Sequence, residues 1–121
     1  MIDNYFNRLE DIVCHSFLVV RSNLNKIKLD DFSGIIKGRL YFEKGILDFL
    51  EVITTKNNPK LVKMKYKYHF MNAKGDIIFR YDNVPHHREI VSFPHHKHLE
   101  GKVIDSHEPN LNLILNEIKN L

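Results

Sequence analysis

The chain has 121 residues, a formal net charge of +3 and a single cysteine. This length predicts one domain over residues 1–121, because it leaves little room for a second core. The hydrophobic share of 43% and the charged share of 27% are typical of soluble globular proteins. No apolar run approaches the roughly 18 residues that a membrane span needs, and the first residues lack the basic segment of a signal peptide. We therefore expect a cytoplasmic protein, in which the lone Cys14 forms no internal disulfide.

Hydrophobic spacing predicts a helix at each end of the chain. The first helix covers residues 2–16, where apolar residues recur at helical spacing: Ile2, Phe6, Leu9 and Val13. Near the other end, Ser106-His107-Glu108-Pro109 has the cap, acid and proline that are typical of a helix start. An apolar stripe follows on this closing helix: Leu111, Ile114, Leu115, Ile118 and Leu121.

About five antiparallel strands are predicted between these helices. They cover residues 17–29, 35–42, 46–55, 60–70 and 76–82. Turn-forming residues separate them at 30–34, 43–45, 56–59 and 72–75. The first strand has a candidate bend at Ser22-Asn23, and residues 102–105 form a brief extended piece. Strands bracketed by helices indicate an α+β fold, an antiparallel meander with helices covering one face.

The strand over residues 60–70 alternates between basic and apolar side chains. Period two places the basic set on one face of the sheet: Lys63, Lys65, Lys67 and His69. Pairing Met71 with Asp76 in the next turn would place Lys65 opposite Asp82 and Lys67 opposite Arg80. The basic side chains could bind phosphates, or they could simply keep an exposed sheet face soluble.

Residues 82–98 form a histidine-rich segment with two prolines. The segment contains five of the chain's 8 histidines: His86, His87, His95, His96 and His98. Proline stiffens the backbone and disfavours helix in the residue before it, so Phe93-Pro94 is expected to be extended. If the chain continues extended, His96 and His98 share one side, while His95 and Lys97 share the other.

Two imidazoles on one side suit acid–base catalysis near neutral pH. RNA is the substrate that this chemistry favours, because its 2′-hydroxyl supplies a nucleophile without a metal. We assign His96 and His98 as the preferred acid and base, with His95 as a further catalytic candidate. Asp82 would orient a histidine, and Arg80 and Lys97 would contact the phosphate. Other candidate substrate contacts are His86, His87, Lys63, Lys65 and Lys67.

Two other hypotheses and a structural alternative stay open. The first is a metal-dependent hydrolase, with zinc bound by His86, His87, His96 and His98, although their spacing matches no established metal motif. The second is a module that binds RNA or a protein without catalysis. The histidines could also be hydrogen-bonding residues of a solvated loop. The metal-free scheme, which needs no cofactor, is the one that we favour.

Several motifs together resemble the TumE family of small prokaryotic proteins. The resemblance covers mainly residues 35–98 and rests on the order and spacing of segments 66–70, 79–83, 85–87 and 93–98, with Gly75 between the first two. It implies the toxin half of a two-gene toxin–antitoxin module, neutralised by a protein antitoxin. Seven candidate residues fall on the motif positions: Arg80, Asp82, His86, His87, His95, His96 and His98. Arg88 stands where many relatives carry proline. The oligomeric state is open, with a homodimer as one option.

Overall fold

The structure, a computed structural model, describes residues 1–57 and 60–121. In chain order it contains α1 (Ile2–His15), β1 (Val19–Lys28), β2 (Ser33–Phe42), β3 (Gly45–Thr54), β4 (Val62–Met71), β5 (Ile77–Asp82), β6 (His96–Leu99), β7 (Lys102–Asp105) and α2 (Leu111–Lys119). All strands pair antiparallel with their neighbours in sequence, in one seven-stranded sheet. The predicted α+β meander with two helices is confirmed. The prediction of about five strands is too low, and part of the predicted turn at 56–59 lies outside the described residues.

The two strands beyond the predicted five come from the histidine segment and from residues 102–105, which the sequence predicts as a brief extended piece. In β6, His96 pairs with Asp82 and His98 pairs with Arg80 of β5. A turn at Glu100-Gly101 then leads into β7, and Gly101 adopts a φ of +73° that glycine accommodates without a steric penalty. The histidine segment is therefore irregular only up to His95, and His96 and His98 lie on a strand. The prediction that Phe93-Pro94 is extended is wrong, because both residues lie in a turn, joined by a cis peptide bond.

One face of the sheet packs against both helices and forms the core. The four predicted apolar residues of α1 are buried, as are four on α2: Leu111, Ile114, Leu115 and Ile118. Leu121, predicted on the same stripe, lies beyond α2 and is 53% exposed. The helix start also differs, because Asn110 and not Ser106 caps α2 by accepting a hydrogen bond from the amide of Leu113. We call this side of the sheet the helix face and the opposite side the free face.

A bulge in β4 reverses one of the predicted side-chain directions. Val52 of β3 pairs with Lys65 and Ile53 pairs with Lys63, so Met64 is an extra residue in the ladder. Strict alternation would have kept Lys63 on the free face with Lys65. Instead Lys63 lies on the helix face, where its Nζ is 3.0 Å from the Tyr68 hydroxyl and its side chain is 6% exposed.

The β4–β5 pairing differs from the predicted register by two residues. Lys67 lies opposite Asp82 and His69 lies opposite Arg80. One residue of the shift arises because Asn72 and Asp76 close the turn, with the Asn72 amide donating to the Asp76 carbonyl at 2.9 Å. The other arises from a bulge, because Phe70 pairs with Phe79 but Met71 pairs with Ile77, which leaves Ile78 as an extra residue. A shift of two preserves the faces, so Tyr66, Tyr68, Phe70, Phe79 and Tyr81 are buried in the core.

Two smaller findings complete the description of the fold. The irregularity in β1 lies between Val19 and Arg21, so the bend expected at Ser22-Asn23 occurs earlier in the strand. Within the described residues, no helix is both long and apolar enough to cross a membrane.

Candidate functional site

The site is built around Asp82, the last residue of β5, which is 2% exposed on the free face. Its Oδ1 accepts a hydrogen bond from the Val84 amide at 3.1 Å and lies 2.8 Å from Nε2 of His96. Its Oδ2 accepts from Nε of Arg80 at 3.0 Å and lies 3.6 Å from Nε2 of His98. A buried carboxylate needs such partners, because burial of an unpaired charge is costly.

His96 is held from both sides of its ring and is 2% exposed. Its Nδ1 lies 2.9 Å from the carbonyl oxygen of Pro94, and its Nε2 faces the Asp82 carboxylate. Both neighbours are hydrogen-bond acceptors, so a neutral ring can donate to only one of them. If Nδ1 carries the proton, the lone pair of Nε2 faces a carboxylate oxygen, and a positive charge is needed between the two groups.

His87 joins this site from the loop after β5. Its backbone has a φ of +56°, a left-handed conformation that is uncommon outside glycine. Its ring centre lies 5.2 Å from that of His96 and 5.6 Å from that of His98, and the last two are 4.8 Å apart. One ring nitrogen of each histidine lies within 4.8 Å of the others. We call Asp82, His87, His96 and His98 the histidine cluster.

His98 is the strand residue through which the cluster reaches solvent. Its side chain is 29% exposed, against 3% for the side chain of His96. Burial lowers the pKa of His98 below its ordinary value, and the charge of Asp82 opposes this effect in part. The imidazole of His98 is therefore predominantly neutral at pH 7, with a nitrogen that can take up a proton or bind a cation.

Three cationic side chains lie on the free face close to the cluster. Arg80 forms an ion pair with Asp82 and lies opposite His98 on the neighbouring strand β6, and 36% of its side chain is exposed. Lys67 lies directly opposite Asp82 in β4, and Lys65 is exposed two residues earlier. His69 lies opposite Arg80, and burial together with the neighbouring Arg80 and Lys67 charges lowers its pKa.

The pleat places other predicted site residues on the helix face. Lys97 forms an ion pair with Glu117 of α2 at 2.7 Å and lies over the ring of Tyr81. His95 hydrogen-bonds the hydroxyl of Tyr66 at 2.9 Å through Nδ1. Together with Lys63, these residues are separated by the sheet from His96 and His98. His86 is exposed and lies outside the cluster, although its neighbour His87 belongs to it.

The buried carboxylate of Glu51 is not among the residues predicted from the sequence. Glu51 of β3 is fully buried on the helix face, where it accepts hydrogen bonds from the hydroxyls of Tyr5 and Tyr68. The signal was present, because period two in β3 places Glu51 in the same row as Phe49 and Ile53. Burial and the Glu51 charge raise the pKa of both tyrosines, so both hydroxyls stay protonated and continue to donate.

A family model described as Toxin TumE matches residues 6–121. The chain belongs to the TumE family. The match confirms the resemblance and extends it to nearly the whole chain, including α2 and most of α1. Membership in TumE makes the protein the toxin component of a toxin–antitoxin module, with a cognate antitoxin as its partner. No curated protein and no solved structure matches this TumE chain.

Proposed function

We propose that this TumE toxin acts by cleaving RNA and that the histidine cluster is its catalytic centre. The observation that carries the proposal is the convergence of three imidazoles and a buried carboxylate beside the exposed cations of the free face. Clustered imidazoles with neighbouring charges are typical of sites that move protons. The cytoplasm, where RNA is translated, is the compartment that we expect.

The free face offers contacts for the phosphates of an RNA strand. Arg80 uses its Nε to hold Asp82, but a guanidinium has five N–H donors, so others remain for a phosphate oxygen. Lys67 lies beside the cluster and also lines a shallow groove of about 400 Å³ that continues across the sheet to Lys37 and Arg39, where Asp48 pairs with Arg39. Lys65 extends the same charged strip along β4. Cations spaced along a groove suit a polyanionic strand better than a single small anion.

The cleavage chemistry starts from the 2′-hydroxyl of the RNA. Its oxygen attacks the adjacent phosphorus, the bond to the 5′-oxygen breaks, a base takes the hydroxyl proton, and an acid protonates the leaving oxygen. In the metal-free form of this reaction, neutral His98 suits the base, and His87, whose side chain is 34% exposed, suits the acid. Buried His96 then orients its neighbours rather than reaching the substrate. The sequence predicts the metal-free form, with His96 and His98 as the acid and base, and that assignment stays a prediction.

The test is incubation of the purified protein with a labelled single-stranded RNA and, separately, with DNA of the same sequence. We expect the RNA to be cut and the DNA to stay intact, because DNA lacks the 2′-hydroxyl. His98→Ala should abolish cleavage and Arg80→Ala should weaken it. His15→Ala and Lys74→Ala are matched controls, since both residues are exposed and lie outside the cluster.

The controls also separate cleavage from binding. If the wild-type protein leaves RNA intact with and without added divalent metals, the proposal is wrong. RNA that is retained on the protein without any product would then favour a binding module. Equal cleavage by His98→Ala and wild type would show that the reaction occurs elsewhere.

A further inference from the structure

We infer that the histidine cluster is a metal centre, in which His87, His96 and His98 bind one divalent transition-metal ion beside Asp82. This inference deepens the proposed function by naming the cofactor of the same site. Metal binding can be measured without RNA, so the two proposals can fail separately.

The first argument is distance. One ring nitrogen from each histidine lies within 4.8 Å of the other two. Two nitrogens that bind the same zinc ion at about 2.1 Å can be at most about 4.2 Å apart. Around a tetrahedral zinc ion the nitrogens would be about 3.4 Å apart, so the partly exposed His87 and His98 rings must turn towards the ion, while His96 is held in place.

The second argument is the set of contacts behind the rings. Nδ1 of His96 lies 2.9 Å from the Pro94 carbonyl oxygen, and Nδ1 of His87 lies 3.3 Å from Oε1 of Glu89. Metal-binding histidines almost always donate their second ring N–H to a carbonyl or a carboxylate in this way. With the proton on Nδ1, Nε2 of both residues has a free lone pair for a metal ion.

The third argument is charge. With Nδ1 of His96 donating to Pro94, the Nε2 lone pair is 2.8 Å from a carboxylate oxygen of Asp82. A proton fits this gap of 2.8 Å, whereas a metal ion, with bonds of about 2.1 Å to nitrogen and oxygen, would lie to one side of it in reach of both atoms. A proton on Nε2 would satisfy this pair as well, but it would account for His96 and Asp82 alone, whereas the His87 and His98 rings also approach the ring of His96. A metal ion satisfies all four side chains together.

The chemistry of the donors selects the kind of ion. Imidazole nitrogen suits zinc, copper, nickel and iron, whereas magnesium and calcium prefer oxygen ligands. Three histidines with a further position beside them are the ligand set of a catalytic zinc site. Such an ion would lie on the free face, next to Arg80 and Lys67, where it would oppose the charge that grows on a phosphate during cleavage.

The test is a calorimetric titration of the untagged, chelator-treated protein with Zn²⁺. We expect one ion per chain. His98→Ala and His87→Ala should each weaken binding by at least about 100-fold, and Glu89→Gln by about 10-fold to 100-fold, because outer partners of metal ligands have effects of that size. His86→Ala should bind as wild type does, and circular dichroism checks that each variant is folded.

Two results would overturn the inference: no binding near one ion per chain, or equal affinity in the His98→Ala and His86→Ala variants. Cleavage of RNA by a demonstrably metal-free protein would also overturn it, and would leave the proposed function standing on histidine chemistry alone. Zinc bound as expected in a protein that leaves RNA intact would support the metal centre and contradict the proposed substrate.

Discussion

The two faces of the sheet each bury one carboxylate, but they surround it with different donors. On the helix face, Glu51 is held by the hydroxyls of Tyr5 and Tyr68. On the free face, Asp82 is held by Arg80 and faces two imidazoles. Burial keeps the tyrosines protonated well beyond neutral pH, whereas imidazoles change protonation near it. The Glu51 network therefore suits a fixed structural role, and the histidine cluster suits chemistry.

The largest expected effect is a loss of RNA cleavage when a residue of the free face is replaced, with no such loss for a residue of the helix face. His98→Ala should reduce RNA cleavage by at least about 100-fold, since a general acid or base contributes roughly that much and a metal ligand no less. Growth arrest on expression without the antitoxin should disappear in parallel. Tyr5→Phe, which removes one donor from Glu51 and none from Asp82, should leave both readouts within about twofold of wild type.

An active His98→Ala variant would contradict the contrast between the two faces, because catalysis would then have to occur outside the histidine cluster. A Tyr5→Phe variant that is folded but inactive would place catalysis on the helix face instead. In that case the cavity beside Tyr5 and Lys63 would become the site to study.

The next expected effect is a loss of stability, which should follow substitutions on either face of the sheet. Asp82→Ala should lower the free energy of unfolding by roughly 3–5 kcal/mol, because it leaves Arg80 without its buried counter-charge and Nε2 of His96 without its partner. Urea denaturation of the variant and wild type measures the difference. Asp11→Ala, on the exposed side of α1, is the control and should change stability by less than about 0.5 kcal/mol. Equal midpoints for Asp82→Ala and wild type would mean that the cluster adds nothing to stability.

A smaller change tests the Glu51 network by itself. Tyr68→Phe removes the hydroxyl that bridges Glu51 and Lys63 while keeping the ring in the core. We expect a loss of roughly 1.5–3 kcal/mol, the usual value for a hydrogen bond to a charged group, with RNA cleavage per folded molecule unchanged. Thermal unfolding together with the cleavage assay gives both numbers. A stable but inactive variant would contradict the structural role that we assign to this network.

The sequence predicts the helices and the two faces because hydrophobic periodicity determines both, and it predicts the meander because short turns join consecutive strands. It also predicts that His96 and His98 point the same way, since both lie on one strand. Lys63 could not be placed, because a bulge at Met64 changes direction without a glycine or proline to mark it. The position of His87 could not be predicted either, because residues 83–95 have no periodicity and their path depends on tertiary contacts. Glu51 was predictable from alternation in β3, and its neighbours' apolar character marks it as a buried carboxylate.

The smallest expected effect is on RNA affinity, and it tests whether Lys67 contacts a phosphate or only faces solvent. Lys67→Ala removes one cation from the junction of the histidine cluster and the groove. If Lys67 contacts a phosphate, RNA affinity should fall modestly, and the dependence of log Kd on log salt should decrease by about 0.7 for a single strand. Fluorescence anisotropy at several salt concentrations measures the slope, with Lys74→Ala in the β4–β5 turn as the matched control. An unchanged slope would show that Lys67 only keeps the surface soluble, and would leave Arg80 as the phosphate contact of the cluster.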